Sequence, residues 1–348
     1  MRFSTVSGLV AALSLACASN AARILLNNDD GFGSGNTREL YRLLKEAGHE
    51  VVIVAPATQQ SGQGGLTEFT TEANLTAPSQ YDIVPAGAPS VGTDPNDSNI
   101  WYYNGTPAAC TFVGLDYVIP RYYKDWKYGP DVFVAGPNFG VNLGPFVFTL
   151  SGTIGSTYAA VSRSVPGIAI SASNDRIAYS DVKNTSNPAT WTAKASFKVV
   201  QEFIESTPEG QSVLPLGYGV NVNIPPLDND EEPPIYQTRL TGEADTDIAA
   251  YDEETGLFDW DFALPKPAGV NACWNGDCSL PGETWIVNGG GVSVSLFTVD
   301  YDAPTNVYTT DVFGKVSALF EGPKGNGTSA GSKKLKRGLA RPIIKRHQ

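Results

Sequence analysis

The run Arg23-Ile24-Leu25-Leu26-Asn27-Asn28-Asp29-Asp30-Gly31 constrains this chain more than any other stretch. An apolar segment of strand character ends in two adjacent carboxylates and a glycine-rich turn. A helical pattern follows at Thr37–Ala47, with Leu40, Leu43 and Leu44 on its apolar face. Gly48 closes that helix and Val51–Ala55 forms the next strand, so the opening predicts a βαβ unit with a right-handed crossover. In an open sheet of this kind ligands bind beyond the carboxyl ends of the strands, where Asp29 and Asp30 fall. Two acids at that edge suit a hard divalent cation and repel a bare phosphate.

The alternation continues. Asp131–Ala135, Ile168–Ser171 and Gly219–Ile224 read as strands, and Gly152–Ser164 and Ala189–Glu205 as helices. The fold class is therefore α/β, a Rossmann-like, mostly parallel sheet flanked by helices. Near residue 226 the composition changes, through Pro225-Pro226, an acidic run and Pro233-Pro234, which places a boundary at about 228. Residues 229–322 read as a smaller β-rich portion with hairpin-like segments at Tyr236–Leu240 and Thr284–Val299. Residues 323–348, rich in Gly, Ser and Lys, read as a disordered basic tail.

Residues 1–22 have the form of a secretory signal, with Arg2, an apolar stretch from Val6 to Ala18 and small residues before Ala22. No later segment has the roughly 20 apolar residues of a membrane span. Cysteine usage agrees with export: Cys273 and Cys278 bracket an Asn-Gly turn as in a small disulfide-closed hairpin, and Cys110 reads as a buried free thiol. Sequons stand at Asn74, Asn96, Asn104, Asn184 and Asn326.

Charge and histidine content remove whole classes of function. The net charge is −12, but eight of the bases follow Glu321 and Arg2 lies in the leader, so the rest of the chain sets 15 bases against 36 acids. Such a surface disfavours nucleic-acid polymers and anionic membranes. An anionic small substrate would need local positive charge, which a metal ion could supply. The two histidines are His49, in a turn, and His347, in the tail, which leaves no base for a Ser-His-Asp triad and no His-rich zinc cluster. An oxygen-rich site of carboxylates, amides and hydroxyls selects Mg²⁺, Mn²⁺ or Ca²⁺. The turn Gly31-Phe32-Gly33-Ser34-Gly35 fails as a dinucleotide fingerprint, because Asn36 stands where the third glycine belongs and no acid ends the second strand.

Four further segments fall at strand or helix ends: Gln60-Ser61-Gly62, Gly105-Thr106-Pro107, the loop Gly136-Pro137-Asn138-Phe139-Gly140-Val141-Asn142-Leu143-Gly144, and Ser151-Gly152-Thr153. The last opens a helix, where free N–H groups and the dipole favour an anion such as phosphate. Each alone is ordinary loop chemistry. Together and in this order they resemble the SurE family of metal-dependent 5′/3′-nucleotidases and acid phosphatases, most closely its secreted fungal members. The resemblance runs from about Arg23 to Ser171 and weakens at Asn221–Pro225 and Val292–Asp300. It implies one divalent cation held by Asp29, Asp30, Ser61 and Asn138, a small phosphate-monoester substrate, and homo-oligomerisation through the C-terminal portion. Asp29, Asp30 and Asn138 are the catalytic candidates, and Asn142, Ser151, Gly152 and Thr153 the candidates for holding substrate phosphate.

One position departs from the family pattern: Ala109 stands where relatives carry an acid, in Gly105-Thr106-Pro107-Ala108-Ala109-Cys110. That departure motivates a rival reading, a secreted binding module that has lost turnover. Phospho-aspartate or glycosyl-transfer chemistry would need an Asp-x-Asp after a buried strand. Asp245-Thr246-Asp247 and Asp259-Trp260-Asp261 lack that context.

Overall fold

The computed structural model describes residues 21–240, 246–263 and 278–320 of the 348. The strands are β1 (Arg23–Asn27), β2 (Glu50–Pro56), β3 (Val91–Asp94), β4 (Asp97–Tyr103), β5 (Val132–Phe139), β6 (Gly167–Ala172), β7 (Tyr218–Ile224), β8 (Ile235–Thr238), β9 (Thr246–Asp252), β10 (Leu257–Ala263) and β11 (Val292–Thr298). The helices are α1 (Gly35–Glu46), α2 (Pro107–Val113), α3 (Ile119–Tyr122), α4 (Gly144–Leu150), α5 (Gly152–Ser162), α6 (Pro188–Glu205), α7 (Glu283–Asn288) and α8 (Val307–Lys315).

Nine strands form one sheet in the order β3-β4-β2-β1-β5-β6-β7-β11-β8. From β4 to β7 the pairing is parallel, as the βα alternation predicts. Within β1 the side chains alternate between two cores. Ile24 and Leu26 join Leu40 and Leu44 of α1 and Val199 and Val200 of α6. Leu25 points the other way, among Cys110 of α2, Phe133 of β5 and Ala160 of α5. Helices on both faces bury the sheet, so its strands read as near-continuous apolar runs. His49 is a buried fastener at the opposite end of the sheet from the acids. Its Nδ1 accepts from Ala22 N at 3.1 Å, and Nε2 lies 2.7 Å from Gln201 Oε1.

The boundary near residue 228 does not divide the sheet. The chain leaves β7 at Pro225-Pro226 and returns, with β11 antiparallel to β7 and β8 parallel to β11. The prolines and acids mark an excursion rather than a linker. Thr284–Val299 is not a hairpin: α7 occupies its first part, with Glu283 and Val287 buried, before β11 begins. Tyr236–Leu240 supplies β8, an edge strand rather than a hairpin. The antiparallel ribbon in this region is β9–β10, a two-stranded sheet of its own. A second unit begins at Tyr301 and contains α8. The leader, the basic tail, Cys273 of the expected disulfide and the sequon at Asn326 lie outside the described residues. Among the described residues no helix is long and apolar enough to cross a membrane.

Candidate active site

The strand order reverses at β1: β2 lies on one side of it and β5 on the other. The crevice at such a switch point is where open α/β sheets bind ligands. The loop after β1 carries Asp29 and Asp30, and the end of β5 carries Asn138. The pairing of β5 with β6 shifts register between Ala135 and Asn138, an irregularity that re-aims the strand end.

The acid-bearing turn is fixed from behind. Asn27 Nδ2 donates to Pro107 O at 3.0 Å and to Thr111 Oγ1 at 3.1 Å. Asn28 closes the turn on itself, donating to Gly31 O at 2.9 Å and accepting from Gly31 N at 3.1 Å. Gly31 has φ +95°, which only glycine adopts without strain. The Gly105-Thr106-Pro107 turn therefore supports the site from beneath rather than lining it. Ala109 is fully buried, inside the core under β1.

Both carboxylates are buried. Asp29 Oδ1 accepts from Thr153 Oγ1 at 2.7 Å, and the N–H groups of Gly152 and Thr153 also face it. Burial nevertheless pushes Asp29 above the usual carboxylate range. Asp30 Oδ2 accepts from Phe139 N at 2.9 Å. Burial, then the Asp29 charge, push Asp30 up to about 8, against the Phe139 N–H and the Arg176 charge. Asp30 Oδ1 and Asn138 Oδ1 are buried acceptors with no hydrogen-bond partner. Unpartnered acceptors of this kind are costly unless a cation or water meets them. Among the described residues no group of three or more His, Cys, Asp or Glu forms a metal cluster, so a cation here would rest on two carboxylates plus neutral oxygens.

The other predicted residues gather at the same edge by different means. Gln60 N donates to Asp29 O at 2.6 Å, which ties the exposed loop carrying Ser61 to the acid-bearing turn. That loop rests on the end of α4 and on α5: Gly64 N donates to Leu150 O at 2.9 Å, and a Cβ at Gly155 would overlap the Gly64 carbonyl. A Cβ at Gly152 would come within 2.8 Å of Asp29 Cβ, so the bare backbone lets α5 reach the carboxylate. Ser151 caps its own helix, accepting from Ile154 N at 3.3 Å. Asn142 is held through its backbone N–H, 2.7 Å from Asn223 Oδ1, and its side chain donates to Ser171 Oγ at 2.6 Å.

Sequence reasoning missed several residues. Arg176 is an exposed cation whose charge acts on both Asp30 and Tyr81. With its amide oriented to put oxygen outward, Gln59 accepts from Arg176 at 2.8 Å. Nothing in the loop around Arg176 marks it in the sequence. Asn221 and Asn223 did leave a signal: two amides two apart in an apolar strand lie on one face and are both fully buried. Glu283 left none. A cleft of about 520 Å³ adjoins the acid loop at Gly33 and is lined by Arg38, Tyr41, Tyr81 and Tyr179, but Asp29 and Asp30 are not among its walls.

Residues 24–247 match the family described as Survival protein SurE. The chain is 41% identical to an acid phosphatase of Yarrowia lipolytica over 293 residues, covering 81% of this chain and 80% of that protein. The chain belongs to the SurE family. A 5′-nucleotidase SurE of Methanocella arvoryzae is 33% identical over 232 residues, covering 63% of this chain and 72% of the relative. The crystal structure of a SurE protein from Aquifex aeolicus shares the fold, with a TM-score of 0.55 at 23% identity, covering 85% of this chain and 98% of that one. The SurE assignment accounts for a mostly parallel sheet carrying its acids at the first strand end.

The raised carboxyls give a pH prediction for the protein in EDTA. Between about pH 4 and 8 the folded form keeps a proton on Asp30, pushed up to about 8, that the unfolded chain has released. Stability therefore falls as pH rises through that window, since the unfolded state binds fewer protons. Thermal melts across the window check this, and a flat or rising profile contradicts it.

Proposed function

We propose that this chain is an exported, divalent-cation-dependent phosphomonoesterase that hydrolyses small phosphate monoesters. One observation carries the reading: two buried carboxylates at the sheet's switch point, with Asp30 Oδ1 and Asn138 Oδ1 unpartnered beside them. Asp29, Asp30, Ser61 and Asn138 are the residues that would hold the cation, Mg²⁺ or Mn²⁺ before Ca²⁺. When bound it would polarise a phosphoryl oxygen and acidify water.

The protein's own groups do the rest. Asn142, the start of α5 at Ser151, Gly152 and Thr153, and Arg176 hold the phosphate oxygens and stabilise the charge spread over them. Asp29, oriented by the Thr153 hydroxyl, takes the proton of the attacking water. Water adds in line to phosphorus while the ester P–O bond breaks, and the departing alkoxide takes up a proton from bulk water to leave as the alcohol. The binding-module alternative rests on Ala109, and that residue lies in the apolar core.

Export belongs to the same proposal: removal of residues 1–22, glycosylation at the exposed Asn74, Asn96 and Asn184, and a Cys273–Cys278 bridge. So does self-association through residues 229–322, which sedimentation velocity reads directly.

The test is phosphate release from p-nitrophenyl phosphate and nucleoside monophosphates, with and without EDTA. We expect release to fall at least about 100-fold in EDTA and to return with Mg²⁺ or Mn²⁺. EDTA-insensitive hydrolysis would remove the cation from the scheme, and phosphate binding without release would favour the binding module.

A further inference from the structure

Glu283 is a fully buried carboxylate far along the chain from every residue assigned above, yet it bonds to the loop that carries Asn142. It opens α7, and its own N–H donates to Arg239 O at 3.1 Å. Glu283 Oε1 accepts from Gly144 N at 2.8 Å. Glu283 Oε2 accepts from Asn221 Nδ2 at 3.1 Å and from Ser295 Oγ at 3.4 Å. Asn221 Nδ2 also donates to Asn142 O at 3.3 Å, and Asn223 Nδ2 reaches the same carbonyl at 3.3 Å. Gly144 has φ +81°, so the turn it ends has no intrinsic preference of an ordinary residue to keep it in place.

These bonds form a bracket. One carboxylate oxygen takes the N–H at the end of the 142–144 turn, and the other takes the amide that grips the turn's first carbonyl. Both arms accept from donors, which a carboxylate can do and a carboxamide cannot, since one end of an amide is itself a donor. Burying an ionisable group is unfavourable, and for sheet cohesion alone an apolar residue would serve as well. A carboxylate in this place makes sense as a two-armed acceptor.

We infer that Glu283 is a positioning residue that sets Asn142 for substrate phosphate, through Gly144 on one side and Asn221 on the other. This rests on the phosphomonoesterase reading. The residue does not touch the reacting atoms and acts on binding.

The experiment compares wild type, Glu283→Gln and Glu283→Ala at saturating Mg²⁺. Read-outs are kcat and KM for p-nitrophenyl phosphate, calorimetric Kd for inorganic phosphate, the Mg²⁺ concentration for half-activation, and melting temperature. In Glu283→Gln, which keeps the volume and loses one acceptor arm, KM and phosphate Kd should rise together by about tenfold, the scale of one hydrogen bond to a charged acceptor. The value of kcat should stay within about twofold, the signature of lost uniform binding. Should Glu283→Ala fail to fold, the Gln variant decides. Unchanged KM and phosphate Kd in a folded variant overturn the inference, as does an equal rise in the Mg²⁺ requirement, which would mean that Asn138 has moved as well. Wild type that binds phosphate without hydrolysing it sinks the enzyme reading, while the phosphate Kd still decides the role of Glu283. Wild type that does not bind phosphate overturns both.

Discussion

Asp29→Asn should abolish phosphate release, by on the order of 10³-fold or more, while leaving the fold intact. The substitution keeps the shape of the side chain and an oxygen for the Thr153 hydroxyl, which now sits 2.7 Å from Asp29 Oδ1. It removes a charge that burial already disfavours, so in EDTA the variant should melt at the same temperature as wild type or higher. Mg²⁺ should raise the melting temperature of wild type and not of the variant, because a ligand stabilises only the form that binds it. The paired read-outs separate a lost cation site from a lost structure. Near-normal turnover in this variant with Mg²⁺ present would end the scheme.

Gly155→Ala should be the most damaging change outside the acids. The new methyl would fall on the Gly64 carbonyl and within 2.7 Å of Gly65 N, backbone atoms that cannot rotate away. Helix α5 is packed between β5, β6 and α2, so the loop at residues 60–65 must give. That breaks the bond from Gly64 N to Leu150 O and carries Ser61 away from the acids. We expect a loss of about 1–3 kcal/mol of stability, as for overpacking elsewhere, and at least about a tenfold rise in the Mg²⁺ needed for activity. Gly65→Ala is the control, since a Cβ there meets open space. Equal behaviour of the two variants in melting and Mg²⁺ titration would show that Ser61 is held by something other than this contact.

The parts of the fold legible in the sequence were those with a local cause. β1, α1 and β2 follow from an apolar run, a 3.6-residue period and a closing glycine, and the acids fall at a strand end whatever the rest of the chain does. The loop with Asn138 and Asn142 was legible for the same reason. What failed was set by tertiary packing. Glu283-Thr284-Trp285-Ile286-Val287-Asn288 is short and rich in β-formers, yet it is helical because Glu283 and Val287 find buried partners there. Pro225-Pro226 looked like the end of a domain because a sequence does not show that a later strand will return to the same sheet. Arg176 and Glu283 matter through where distant segments meet, and neither carries a local mark.

The seat of β11, between β7 and β8, has a consequence for biogenesis. A nascent chain that has emerged as far as residue 228 already contains all four residues proposed to hold a cation. It cannot yet bracket Asn142, because Glu283 and the strand beside it are still to be synthesised, and β8 has nothing to pair with until they arrive. Maturation should therefore be a late, single event in which the last sheet strand and the phosphate grip arrive together. A product truncated within the excursion would be an incomplete sheet with an unpaired β7 edge, the kind of surface that aggregates.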